Sequence, residues 1–374
     1  MTTINPDAAA TSAPHDPADE SVRRVVQQFV DESRIPGMSL AIARPEGHLS
    51  AVAAGYADLA ARRPATVTDQ YPWFSMTKIA TATAAMQLHV SGHFDVDAPI
   101  GTYLRSYRPH PVHGHPSTRQ LLTHTAGLPN PLPVRWVRPE DQTEDREQHR
   151  RIVAKYGTPR HTVGAQPHYS NVGYLLVGDV IEAVTGQSVQ DRVTATVLRP
   201  LGMSATGYRY VQERPRATGH VRLPAVFRPI LRRFLPGDLV GPQVEGWTQL
   251  HPFLINGAAY GGLIGTVTDA ATLAAAHAAA STDVTELLPH ADIDRMRTIT
   301  APGKRFDHGT GWFRKPADSA SSPTFVEHYG TGGGYWNAMR IYPQRRLAIV
   351  AMTNTTAAWD VDKLFTQIGQ LTWH

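Results

Sequence analysis

The 374-residue chain has no cysteine, and that one absence excludes disulfides, thiolate metal sites and a cysteine nucleophile. No apolar run approaches the roughly 18 residues that a membrane-spanning helix needs, so no membrane span is expected. Gly-x-Ser-x-Gly is missing, which removes the nucleophile elbow of the α/β-hydrolases. Lysine is scarce, with five residues at positions 78, 155, 304, 315 and 363. This arginine-over-lysine bias fits a high-GC bacterial genome. The opening MTTINPDAAATSAPHDPADE lacks the basic-then-apolar layout of a secretory signal. It reads as a disordered lead-in over residues 1–18 of a cytoplasmic protein.

What is present is an ordinary globular composition, 41% hydrophobic and 18% charged, in a chain long enough for one large domain or two. The basic excess is local. Residues 209–233 hold seven arginines against Glu213 alone, a formal +6, while the whole chain carries +4. One arginine-rich segment is not the basic face of a nucleic-acid-binding protein, so no nucleic-acid partner is expected.

Hydrophobic periodicity outlines the architecture. ESVRRVVQQFVDESR reads as an amphipathic helix, with Val22, Val25, Val26, Phe29 and Val30 at helical spacing. PGMSLAIARPEGHLSAVAAGYADL follows as two strands around a Pro-Glu-Gly turn. The segments after Ser75, from Asn171 and from Val267 read as helices, the first two stopped by glycine. GYWNAMRIYPQRRLAIVAMTN reads as a strand hairpin and AAWDVDKLFTQIGQLTW as a closing helix. Strands at both ends with helices between them predict one α/β domain built from the termini and a helical domain inserted into it.

The chemistry concentrates at WFSMTK, residues 73–78. Ser75 and Lys78, at i and i+3, share one helix face. A lysine there takes the serine proton if its pKa is lowered, and the helix N-terminus favours negative charge near Ser75. The bland alternative is Ser75 as an N-cap with a solvent-facing lysine one turn on. Two later segments favour the chemical reading. HYSN places Tyr169 before a helix, where a phenol near a lysine can be pushed toward phenolate and serve as base and acid. EHYGTGGGYW, residues 327–336, is a glycine-rich strand entry that lets a ligand approach the backbone and leaves N–H groups for an oxyanion.

These motifs, in this order, resemble the serine penicillin-recognising superfamily, in its branch of class C β-lactamases, DD-peptidases and family VIII esterases. PWFSMTKIATATAAMQL looks like the nucleophile helix of that branch, and TRQLLTHTAGLP, LRPLGMSATGY and YGGLIGTVTDAATLA are similar to its other signatures. The resemblance runs from about residue 20 to the end. It implies an α/β fold of the α+β type, β-lactamase/transpeptidase-like, an antiparallel sheet flanked by helices plus an inserted all-helical domain. Residues 19–74 and 260–374 would form the sheet domain and 75–259 the mainly helical one, with the active site at their interface.

The resemblance also implies roles. Ser75 would be the acylated nucleophile, Lys78 its proton partner, Tyr169 the general base and acid, and Asn171 a substrate-orienting amide. The backbone N–H groups of Ser75 and Thr331 would form the oxyanion hole. The Lys-Thr-Gly strand motif falls on His328-Tyr329-Gly330. Histidine is familiar in its first place, but Tyr329 puts a bulky ring where a small hydroxyl usually meets a substrate carboxylate. That weakens the case for β-lactams or D-Ala-D-Ala. Tyr335-Trp336-Asn337 also spells Tyr-x-Asn, yet it falls within a strand, where Tyr335 and Trp336 are expected to line the substrate site.

The expected function is that of a serine acyl hydrolase or acyltransferase acting on an ester or amide of a small molecule through an acyl-Ser75 intermediate. Water as acceptor makes it an esterase or amidase, and an amine or alcohol acceptor makes it a transacylase. No cofactor or metal is called for. The alternatives are β-lactamase or D-amino-acid peptidase activity, and a catalytically silent binding protein on the same scaffold. Segment 216–242 reads either as a cleft wall admitting a hydrophobic or anionic acyl group, or docking an acidic carrier protein, or as a solvated basic loop. Residues 132–165 form a second wall, with Trp136 its expected contact. His110, His113 and His115 have zinc-like spacing, but their prolines read as a surface loop. His124 reads as a hydrogen-bonded structural histidine.

Overall fold

The computed structural model describes residues 17–131, 136–222, 235–280 and 287–372. The expected lead-in therefore lies almost wholly outside the described residues, as do Arg228, Arg232 and Arg233 of the arginine-rich segment.

Both ends of the chain build one sheet. The N-terminal part supplies β1 (Gly37–Ala43), β2 (Leu49–Asp58) and β3 (Arg63–Pro64). The C-terminal part supplies β4 (Asp307–His308), β5 (Phe313–Arg314), β6 (Val326–Gly332), β7 (Tyr335–Tyr342) and β8 (Leu347–Thr353). Their spatial order is β4-β5-β6-β7-β8-β1-β2-β3, antiparallel throughout. The seam is β8 against β1, with Leu40 opposite Ala351.

Five helices organise the rest: α1 (Pro17–Ser33), α2 (Thr77–Val90), α3 (Asn171–Thr185), α4 (Val267–Ala278) and α5 (Val361–Thr372). The period of two along β8 sorts the sheet's faces. Leu347, Ile349 and Ala351 join Val26, Phe29, Leu364 and Phe365 of α1 and α5 in one buried cluster. Ala348, Val350 and Met352 join Val267, Ala271 and Leu273 of α4 in the other. Each fully buried Val, Leu, Ile, Phe or Met side chain among them contributes about 1.5–3 kcal/mol of apolar transfer.

α2 is enclosed on all sides, with every residue from Thr77 to Met86 buried. Its alanines let neighbouring elements approach closely, and a helix buried all round puts any polar side chain it carries into a low-dielectric setting. Lys78 is that side chain.

The middle of the chain is helical only in its first part. Gly219–Val221, Trp247–Leu250 and Val240–Val244 form a three-stranded sheet, and Val137–Pro139 pairs with Phe253–Ile255. The inserted region is thus not all-helical. Its prolines interrupt helices, and its β-branched and aromatic residues pair in short antiparallel runs instead.

Candidate active site

Ser75 lies in the 3₁₀ turn Phe74–Met76 that leads into α2. It does not cap the helix, since neither the turn nor α2 has a side-chain cap hydrogen bond. Its Oγ accepts instead from Lys78 Nζ at 2.9 Å and from the Tyr169 hydroxyl at 2.7 Å. The turn is strained, because Phe74 has φ +47°, a region bulky residues rarely occupy. Packing holds it there: the Phe74 ring lies 6.1 Å from that of Tyr335 and 6.2 Å from that of Phe253.

The glycines of β6 complete this support. A Cβ on Gly330 would stand 2.0 Å from the Trp73 carbonyl oxygen, and one on Gly332 would stand 2.3 Å from the Phe74 ring. The glycine-rich entry, read in the sequence as room for a ligand, also makes room for the chain's own Ser75 turn.

Lys78 is fully buried. Its Nζ donates to Ser75 Oγ, to Asn171 Oδ1 at 2.8 Å and to the Tyr260 carbonyl at 3.0 Å. The rings of Tyr169, Tyr174 and Tyr260 surround it at 5.0, 5.2 and 5.3 Å. Among the described residues no carboxylate pairs with it, and burial pulls its pKa well below the usual lysine range. Tyr169 is shifted the other way: burial pushes its phenol up, against the smaller effect of its bond to Ser75. Burial thus favours the neutral form of both groups. The amine is the group prepared to give up a proton, and the phenol is the one prepared to keep it.

His124 brackets Tyr169 on three sides. Its ring stacks on the tyrosine at 4.3 Å, its Nδ1 accepts from the Ser170 N–H at 3.1 Å, and its carbonyl accepts from the His168 N–H at 2.7 Å. Burial holds its imidazole well below the usual histidine range. Ser170 caps α3 by accepting from the Gly173 N–H at 3.2 Å, which fixes Asn171 at the helix start beside Lys78.

His328 is buried, and its Nδ1–H donates to the Tyr329 carbonyl at 2.8 Å. Burial and the nearby Lys78 lower its pKa well below the usual range, so it presents a neutral ring. The Tyr329 hydroxyl donates to Glu327, whose other oxygen is paired with Arg340 at 2.6 Å. Neither side chain offers a cation or an uncommitted hydroxyl to a carboxylate.

Tyr335 is 1% exposed and donates its hydroxyl to the Ala217 carbonyl at 2.8 Å. It lies under the nucleophile turn and not on the cleft wall where the sequence reading placed it, because its position on β7 faces Phe74 and Phe253. Trp336 does line the cleft. Asn337 donates to the Pro72 carbonyl at 2.8 Å and accepts from the Thr353 N–H at 3.2 Å, so the second Tyr-x-Asn is part of the framework.

Ser75 stands where two lobes of a cleft meet. One, about 370 Å³, is walled by Phe74, Trp136, Val137, Val221, Leu235 and Ile255. The other, about 890 Å³, is walled by Tyr169, His328, Tyr329, Trp336, Lys304 and Arg305. Ser75, Asn171, Thr331, Gly332 and Thr356 border both. Trp136 lies where the sequence reading expected it, edge-on to Tyr260 with ring centroids 5.0 Å apart. Tyr260 itself was missed, although YGGLIG contains it; attention to the glycines hid a residue whose carbonyl holds Lys78.

The remaining sequence candidates lie elsewhere. Arg209 donates to the Glu140 carbonyl at 3.1 Å, Arg216 pairs with the Glu140 carboxylate at 2.6 Å, and Arg222 stacks 5.5 Å from Trp247. None of the three borders either lobe, and with Arg209 and Arg216 held by Glu140 the docking of an acidic carrier protein gains no support. His110 stacks on His113 at 4.4 Å and accepts from the Val112 and His113 N–H groups, which ties the loop to itself.

Residues 22–372 match the model of the Beta-lactamase family. The protein SurE, solved with D-Leu, is 28% identical with a TM-score of 0.69, covering 94% of this chain and 74% of SurE. The D-amino acid amidase of Ochrobactrum anthropi SV3, solved with L-phenylalanine amide, is 22% identical with a TM-score of 0.75, covering 95% of this chain and 98% of the amidase. At that identity the likeness shows the fold. Protein flp of Staphylococcus aureus strain N315 is 24% identical over 203 residues, which are 53% of this chain and 40% of that protein. The chain thus matches well under half the length of this curated relative.

Proposed function

The chain belongs to the β-lactamase family, and from that premise and the site geometry we propose that it is a serine acyl hydrolase or transacylase forming an acyl-Ser75 intermediate. The observation that carries this reading is the convergence of Lys78 Nζ and the Tyr169 hydroxyl on one oxygen, Ser75 Oγ, at 2.9 and 2.7 Å. Burial drives their pKa values apart, which supports Lys78 as the base and Tyr169 as the acid.

In its neutral form Lys78 keeps its two N–H groups on Asn171 Oδ1 and the Tyr260 carbonyl and turns its lone pair to the Ser75 hydroxyl. It takes the serine proton as Oγ bonds to the substrate carbonyl carbon and the carbonyl π pair moves onto oxygen. The N–H groups of Ser75 and Thr331 receive that oxyanion, with Thr331 brought beside the nucleophile by the close approach of Gly330 to Trp73. On collapse the bond to the leaving group breaks and Tyr169 supplies its proton. The Lys78 ammonium then returns the serine proton to the Tyr169 phenolate by way of Ser75 Oγ, where the two groups meet. Over the whole step one proton thus passes from the serine to the leaving group, and Lys78 and Tyr169 regain their starting states. Asn171 holds Lys78 through its Oδ1. Water, an amine or an alcohol then takes the acyl group by the reverse sequence.

An ester or ordinary amide fits better than a β-lactam or a D-Ala-D-Ala peptide, because His328 is neutral and the Tyr329 hydroxyl is committed to Glu327. The D-Leu held by SurE supports a group of amino-acid size. A fluorophosphonate probe with intact-mass readout tests the proposal: one adduct on wild type and none on Ser75→Ala is expected. Wild type that takes up neither probe nor acyl group from any ester would refute it. Partitioning of product between water and added amine then separates hydrolase from transacylase.

A further inference from the structure

Resting on the reading of Ser75 as nucleophile and Tyr169 as proton donor, we infer that the 370 Å³ lobe is the acyl site and selects an uncharged, apolar acyl group. The orientation follows from Tyr169, which borders the larger lobe and not the smaller one. A leaving group must meet its proton donor, so it departs through the larger lobe. The acyl chain then points the opposite way from the reacting carbon. There Trp136, Val137, Val221, Leu235 and Ile255 form an apolar wall, and among the described residues none that borders that lobe is charged.

A charged acyl group would lose its hydration there without gaining a counter-ion. Arg209 and Arg216 do not alter this, since both are bound to Glu140. The volume lies at the small end of ligand cavities, suited to a medium-chain or aryl-alkyl acyl group. The walls come from the two short sheets, with Val221, Val137 and Ile255 on their strands. Those strands, which an all-helical insertion would lack, are therefore what build the specificity surface.

The test is a series of p-nitrophenyl esters with one leaving group and acetyl, butanoyl, hexanoyl and monosuccinyl acyl groups. Each buried methylene should raise kcat/KM about three- to fourfold, so hexanoyl should exceed acetyl by about 10²-fold. Succinyl should do no better than acetyl. Ile255→Trp, which fills the lobe, and Val221→Asp, which charges its wall, should each lower the hexanoyl-to-acetyl ratio at least about tenfold. A ratio does not depend on the fraction of protein that folds. A flat series, a preference for succinyl, or a hexanoyl preference unchanged in both variants overturns the assignment. If no ester leaves an acyl adduct on Ser75, the nucleophile reading falls first and this one with it.

Discussion

Among the described residues, two long cationic side chains are buried, and the protein treats them in opposite ways. Arg340, on β7, is 2% exposed and meets two carboxylates, Glu327 and Asp362. Burial is the largest effect and opposes its charge, but Glu327, Tyr342 and Asp362 together outweigh it and its pKa is raised. Lys78, on α2, is fully buried and meets three neutral oxygens and three tyrosine rings. Nothing offsets its desolvation, and its pKa falls. A buried cation with matched anions is framework, whereas one denied an anion is a base in waiting.

The two environments respond differently to substitution. Lys78→Arg keeps a long cation on α2 but one that does not deprotonate. We expect kcat/KM to fall about 10²- to 10⁴-fold at every pH, with the fold intact by circular dichroism; full activity at high pH would remove Lys78 as base. Glu327→Gln removes the principal anion from Arg340 and leaves a buried charge with only the half-exposed Asp362. A loss of about 3 kcal/mol is expected, read as a lower denaturant midpoint at unchanged slope. An unshifted midpoint would mean that Asp362 suffices.

Asn171→Asp makes the two cations alike by placing a carboxylate against Lys78 Nζ. The lysine pKa should rise by about 1–3 units. Because the base works deprotonated, activity is present above that pKa and lost as pH falls through it. The acid limb of kcat/KM should therefore move to higher pH, with activity lost on its acid side and recovered as pH rises. A loss that does not recover with pH would count against a proton role. No basic limb is expected within the ordinary tyrosine range, since burial holds the Tyr169 phenol above it.

The contrast between the two cations also marks how far the sequence could be read. Ser75 and Lys78 are neighbours on one turn of helix, so their meeting was legible from spacing. Tyr169 and Asn171 stood out because they flank a capped helix start. The order of strands and helices gave the sheet from two termini. Protonation was not legible, because it depends on α2 being enclosed on every side, and an alanine-rich helix looks the same whether one face or all faces are covered. The positive φ of Phe74 left no trace in composition. Gly330 and Gly332 were visible as glycines, but that they yield space to Trp73 and Phe74 is a fact about distant packing. The short strands from 219 to 255 were hidden among arginines and prolines.

The smallest effect should come from His124, which touches the acid and not the substrate. Its φ of +60° is a conformation that asparagine adopts readily and alanine does not. Asparagine also places Oδ1 where the histidine places Nδ1, so His124→Asn can keep both the backbone and the bond from the Ser170 N–H, losing only the stack on Tyr169. His124→Ala loses all three. If His124 positions the phenol, kcat should fall about tenfold in the alanine variant, since small misplacement of a reacting group is costly. KM should stay within about twofold, because no substrate contact is removed. His124→Asn should recover most of kcat. An asparagine variant as slow as alanine would assign the effect to the ring stack, and equal losses in kcat and in melting temperature for both would make His124 framework alone.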